Sequence, residues 1–431
     1  MDESLKRALL AFAFAVVLAG CAAPVADDSL GHDGLGQVEN VTYAEELSIE
    51  NEQQLTEGEL EKLTKRTMAR IEVVRGLEFE HAVEVDVISR EEYQQNYTGG
   101  AAGADADWEN LRWEALFVIG QDRDATEVLD EAFGEAVRGF YSPGAERIVI
   151  VSDGEHTTIN KGTLIHELVH ALQDQQFGLG HDARTVDERL AREGVIEGEA
   201  ELVPELYLNR CGVTWSCVTP ELDAAAARDV HPGVYMLLIQ PYLSGPEFVD
   251  EHRQRGGWRA VDALHDDLPV SSQQIIHPEK YPDERPVNVT VPDRSDERWE
   301  RLDREPELDT FGEASLFVML AHNDIITVED PSTYRHTFTE GWAGDAFATY
   351  EHGDELGYVW TLHFESADDR QQFHRAYEDL LEEHGGTERG GDVVVISDGP
   401  FEGAFEVTGD DERLRIVKGP DVDALDAIHD S

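Results

Sequence analysis

The sequence predicts an α+β protein: a mainly helical domain with a small sheet ahead of one distinctive helix, followed by a C-terminal α+β subdomain. Three observations carry this expectation. Apolar residues recur at helical spacing through most of residues 160–265. Just before them, HAVEVDVIS (81–89) alternates and GFYSPGAERIVIV (139–151) reads as a hairpin around Ser142-Pro143-Gly144. Beyond Gly341 the character changes, and strand patterns outnumber helical ones. At 431 residues the chain exceeds one usual domain. The expected division is 1–20, 21–58, 59–340 and 341–431.

Residues 1–20 read as an export signal. Lys6-Arg7 precede a short apolar run from Ala8 to Ala19 that ends in Leu18-Ala19-Gly20-Cys21, too short for a stable membrane span. The LAGC ending resembles the lipobox of bacterial and archaeal lipoproteins, in which the cysteine is lipidated and becomes the first mature residue. Cys21 is therefore the expected lipid anchor, holding the protein on the outer face of the cytoplasmic membrane. From Cys21 to Gly58 the composition is polar with little periodicity, and a solvated tether is expected. Leu60, Leu63, Met68, Ile71 and Val74 then mark a helix over 59–75, and further helical patterns cover 108–119 and 125–137. The β-branched strand 148–151 is expected at a sheet edge, where an extended peptide can pair with it. Cys211 and Cys217, with five residues between them in an exported chain, are expected to form a disulfide. In the C-terminal part AFATYE, GYVWTLHFE, DVVVIS, AFEVTG and RLRIVKG read as strands, with a helix over DDRQQFHRAYEDLLEEHG.

Charge excludes one class of partner. With 34 Lys+Arg against 91 Asp+Glu the net charge is −57, and such a surface repels phosphate, so nucleic acid is not expected to bind. The acids are spread along the chain and not gathered in a tail. That suits molar salt, where the Debye length is roughly 3 Å and neighbouring carboxylates barely repel. Hydrophobic residues at 41% are ample for a packed core.

The chemistry is concentrated in LIHELVHALQDQQF (164–177). His166 and His170, four apart on a helix, share a face and can present two imidazoles to one metal ion. Glu167 is turned about 100° away, placed to act on water as a general base. Leu164, Ile165, Leu168, Val169 and Leu172 supply the stripe that buries the helix. Zn2+ is the expected ion: three protein ligands leave a fourth position open, and the reaction implied is metal-assisted amide hydrolysis. Gln173 and Gln176 exclude the motif variant that continues with Gly and His at those positions. The third ligand is expected from AREGVIEGEAELVPEL (191–206), where Glu197 follows His170 after 26 residues. Glu193, Glu199 and Glu201 are alternatives in the same run. The small Gly194, Gly198 and Ala200 are expected to let this helix approach the metal. Glu201 and Asp174 are expected to orient the histidines through their other ring nitrogens.

HELVHALQDQ followed by EGEAE resembles the gluzincins, the thermolysin-like superfamily in which HExxH is completed by a glutamate on a later helix. The spacer is longer here than in the thermolysin type. GFYSPG, HALQDQQF, EGEAELV, PYLSGPEFV, GGWRAVDAL, PVSSQQIIHPEKY and GWAGDAFATY, in that order between residues 139 and 350, also resemble secreted metallopeptidase-like lipoproteins of bacteria and halophilic archaea. The resemblance implies a zincin-type domain over 59–340 and a peptide or protein substrate. In PVSSQQIIHPEKY, Ser271 or Ser272 can cap a short helix ending before Pro278. The resemblance then offers His277 as the donor that stabilises the transition state, with His231 and Tyr235 competing for that role. The expectation is thus a cell-surface zinc peptidase with Glu167 as base. The alternatives are a zinc-bearing surface protein that binds peptide or envelope material without turnover, and a structural lipoprotein without metal.

Overall fold

The computed structural model describes residues 34–49, 55–97, 106–152, 161–180, 183–217, 230–296 and 298–429. Residues 1–33, and with them the export signal and Cys21, lie outside the described residues. The class is α+β.

Helix α1 (Glu57–Arg75) starts at a capping box, Thr56 and Glu59 each satisfying the other's backbone N–H, and stops where Gly76 turns left-handed at φ 80°. Two short strands, β1 (Gln37–Val38) and β2 (Val41–Thr42), form a hairpin against it. Residues 34–49 are therefore not a solvated tether. Val38 and Val41 are buried, Glu72 accepts from the Gly36 N–H at 2.8 Å, and Arg70 donates to the Tyr43 carbonyl at 2.9 Å. The segment is too short to show periodicity, and its ordering comes from α1.

The first sheet runs β3 (Glu84–Ser89), β5 (Arg147–Ser152), β4 (Gly139–Ser142), with β3 parallel and β4 antiparallel to β5. This corrects the expected edge: β5 is the central strand, and β3 and β4 are the two edges. The Ser142-Pro143-Gly144 turn folds β4 back onto β5 on the side away from β3. Between β3 and β4 lie α2 (Arg90–Tyr97), α3 (Ala106–Ala115) and α4 (Ala125–Ala136).

Helix α5 (Lys161–Phe177) carries the motif, and α6 (Val186–Leu208) packs across it. Leu164, Leu168 and Leu172 of α5 lie in one core with Ile148 and Ile150 of β5, Met68 and Ile71 of α1, and Ala200 and Val203 of α6. Next come α7 (Pro232–Gly256), α8 (Trp258–Asp266) and α9 (Ser272–Ile276). Helices α6 and α7 meet backbone to backbone: a Cβ on Gly198 would stand 2.4 Å from the Gly245 carbonyl carbon, and one on Gly245 would stand 2.2 Å from the Gly194 oxygen. The small residues of α6 thus serve its crossing with α7, and Gly194 also admits Ile275. Cys211 and Cys217 form a disulfide, and Arg70 of α1 binds the enclosed loop at the Ser216 carbonyl (2.9 Å) while lying over Trp215.

The C-terminal sheet has seven antiparallel strands in the order β6-β7-β8-β12-β11-β10-β9. They are β6 (Glu300–Arg301), β7 (Trp342–His352), β8 (Glu355–Phe364), β9 (Thr387–Glu388), β10 (Val393–Ile396), β11 (Gly403–Asp410) and β12 (Arg413–Gly419). It therefore takes in chain from before residue 341, including the Asp309–Phe347 bridge. Helix α11 (Ala367–Glu383) covers one face and α12 (Val422–Ile428) the other. Helix α10 (Gly312–His322) is buried nearly all round and joins the halves: its Phe317 and Leu320 share a core with Leu116 and Val118 on one side and Trp360 and Ile416 on the other. Among the described residues no helix is long and apolar enough to cross a membrane.

Candidate metal centre

Helix α5 presents His166 and His170 on the face that meets α6, their rings 4.7 Å apart and nearly perpendicular. Both Nε2 atoms converge, 3.0 Å apart, and Glu197 Oε2 lies 3.2 Å from each. Ligand atoms held tetrahedrally about 2.0–2.1 Å from zinc stand roughly 3.3 Å from one another, so the three atoms fit that ion. Two ring nitrogens at 3.0 Å cannot both aim a proton at the other, whereas two lone pairs can both aim at a cation. Glu197 Oε2 is buried and makes no aligned hydrogen bond among the described residues. Among those residues no other trio of His, Cys, Asp or Glu converges in this way.

The alternatives for the third ligand are engaged elsewhere. Glu193 pairs with Arg189 at 2.8 Å, and Glu199 is enclosed by Arg75 and His265. Glu201 Oε1 lies 3.1 Å from His166 Nδ1, the place expected of an orienting carboxylate. Asp174 does not play that part. Its oxygens accept from the Tyr141 hydroxyl (2.9 Å) and the Leu179 N–H (2.9 Å), fastening the end of α5 to β4. The partner of His170 Nδ1 is Gln173 Oε1 at 3.0 Å. With both Nδ1 atoms so engaged, both Nε2 atoms are free to carry lone pairs toward an ion.

Electrostatics follow from burial and neighbours. Burial alone would raise Glu197, but His170 and His166 hold it well below the usual carboxylate range. Burial opposes charge on His166, and the Glu197 and Glu201 carboxylates outweigh it, raising the imidazole well above its ordinary value. A binding metal would displace that proton from the ligand nitrogen. Glu167 is buried and pushed up by that burial, partly offset by the two histidines and by the Tyr141 N–H that it accepts. Strand β4 thus aims one N–H of its outer edge at the candidate base.

The expected donor His277 lies outside the centre. Ser271 caps α9, and the His277 ring at its end bonds Glu313 of α10 at 3.0 Å, with Glu279 at 3.8 Å. Apolar packing of Ile275 and Ile276 turns that segment toward α6 and α10, away from the histidine pair. His231, at the start of α7, faces His322, and Tyr235 is two turns short of the site. The residue that α7 does deliver is Tyr242. Its ring stacks near His166 (centroids 6.0 Å, 16°). Burial and the neighbouring Glu197, Glu167 and Glu193 push its phenol well above the usual value, so it stays protonated. Nothing local in PYLSGPEFV marks Tyr242. The signal was its neighbour Gly245, one turn on, which brings the helix close enough.

Residues 300–429 match a family model described as a domain of unknown function (DUF8575). No curated protein and no solved structure matches the chain.

Proposed function

We propose that the protein is an exported, lipid-anchored zinc peptidase acting at the outer face of the cytoplasmic membrane. The observation that carries this reading is the convergence of His166, His170 and Glu197, with their ligand atoms 3.0–3.2 Å apart, beside the buried carboxylate of Glu167. His166, His170 and Glu197 would hold the ion. Bound zinc supplies a Lewis acid that polarises a carbonyl and acidifies water. Glu167, buried beside the histidine pair, takes a proton from the attacking water and returns it to the departing amine nitrogen. Tyr242, held in its protonated form, donates a hydrogen bond where negative charge builds on the carbonyl oxygen. The edge strand β4 offers backbone groups to an extended peptide. Export and the lipid at Cys21 rest on the basic, apolar and LAGC sequence of residues 6–21.

Peptide-library cleavage in molar salt, wild type against Glu167→Gln, tests the reading. Loss of about 10²–10⁴-fold in turnover with zinc retained is expected. Equal cleavage by both proteins would remove Glu167 as base. Bound zinc without cleavage by either would favour a surface protein that binds peptide or envelope material.

A further inference from the structure

The neutral partner of His170 stands at the end of a buried chain of polar groups. Gln173 Nε2 lies 3.0 Å from the Ile196 carbonyl and 3.0 Å from Glu199 Oε2. Both are acceptors, so the atom between them is the amide NH2, and the oxygen is the atom that faces His170 Nδ1. An oxygen there requires a proton on Nδ1, which leaves the lone pair of His170 on Nε2, the nitrogen that meets His166 and Glu197.

Glu199 is what makes the amide choose. It is 1% exposed, and its other contacts are the Arg75 Nε on one oxygen and His265 Nε2 at 2.6 Å on the other. Two N–H donors, Arg75 Nε and His265 Nε2, already face its oxygens, so both carboxylate oxygens act as acceptors. Both partners of Glu199 are fixed from outside the centre. Arg75, with no exposed surface, lies over Trp258 at 4.6 Å and pairs with Asp262 at 2.7 Å; the His265 ring stacks on Phe177 at 4.2 Å and 5°. The chain Arg75/His265–Glu199–Gln173–His170 thereby ties α1, α8, α6 and α5 to one ligand atom.

We propose that Gln173 is a positioning residue for the metal centre, its amide locked by Glu199, Arg75 and His265 so that His170 can offer only Nε2. The proposal rests on the zinc reading above. Its test uses the full chain with Zn2+ and Co2+ as probes. Gln173→Met keeps the length and removes both the acceptor and the donor. Zinc affinity, measured by chelator competition, is expected to fall about 10–100-fold. In the Co2+ form, wild type is expected to show a slowly exchanging ring N–H of His170 by proton NMR, and Gln173→Met a rapidly exchanging one. A merely structural role would lower the unfolding midpoint of metal-free protein and move neither readout. Gln173→Glu keeps a side-chain oxygen opposite His170 Nδ1. It is expected to stay within about threefold of wild-type zinc affinity, short of the loss that missing outer partners cause. Wild-type affinity and a protected N–H in Gln173→Met would overturn the proposal; if that variant does not fold, a loss of tens of fold in Gln173→Glu does so. Wild-type protein that takes up no zinc would overturn the metal reading itself, and this inference with it.

Discussion

The crossing of α6 and α7 makes the sharpest mechanical prediction, through Gly198→Ala. Taken alone, alanine in a helix interior is worth about 1 kcal/mol over glycine. Here the added methyl would meet the Gly245 carbonyl carbon at 2.4 Å and its oxygen at 2.5 Å, both backbone atoms with no rotamer to escape into. Ordinary carbon contacts begin near 3.5 Å, so the two helices must part by about 1 Å. Overpacking of this kind costs about 1–3 kcal/mol, and a gap of that size forfeits roughly a quarter to a half of the dispersion along the seam. The clash at least cancels the propensity, and a net loss of up to about 2 kcal/mol is expected. The site also moves, because Glu197 precedes Gly198 on α6 and Tyr242 lies one turn before Gly245 on α7. A displacement of about 1 Å between catalytic groups is worth on the order of 100-fold in rate. Urea unfolding in molar salt and peptide cleavage measure the two effects. A Gly198→Ala protein as stable and as active as wild type would refute both the close crossing and its role in placing Tyr242.

Three further predictions concern other parts of the molecule. Burial pushes Asp187 up to about 7, the Ser272 hydroxyl and N–H offsetting part of the shift. The folded state therefore keeps a proton that the unfolded chain has lost, and the contribution is complete below about pH 4 and disappears as pH rises toward 7. At 1.36 kcal/mol per unit that is about 4 kcal/mol, and Asp187→Asn should flatten the fall in unfolding free energy across this window; an unchanged pH slope would contradict it. Replacing Cys211 and Cys217 by serine opens a short loop and should cost about 2 kcal/mol of unfolding free energy in the loop-entropy picture. Cys21→Ser should leave the protein without lipid mass and free of the membrane fraction, whereas membrane retention would sink the anchor.

Much of the centre was legible because helical spacing is a local property. His166 and His170 at i and i+4 must share a face, and Glu197 and Glu201 repeat that relation on the next long helix. The strands after residue 341 were equally plain, since alternation and β-branching identify them one at a time. What escaped depended on how elements meet. Asp174 and Gln173 differ by one position, and the segments around them give them different partners: Tyr141 and Leu179 meet Asp174, whereas His170, Ile196 and Glu199 meet Gln173. Strand β5 is β-branched whether central or at an edge; the parallel partner β3, 63 positions earlier in register, made it central. Tyr242 reaches the site through a helix crossing built on Gly194, Gly198 and Gly245, and backbone contact between distant segments leaves no periodic trace. His277 looked available because its partner Glu313 lies 36 residues on, in a helix whose apolar pattern hides one buried acid.

The most direct measurement is the zinc content of purified full-length protein, wild type beside Glu197→Gln, after equilibration against limiting free zinc. The triangle of His166, His170 and Glu197 predicts one zinc per wild-type chain and an occupancy well below one in the variant. No zinc in the wild type, or full occupancy in Glu197→Gln, would contradict it.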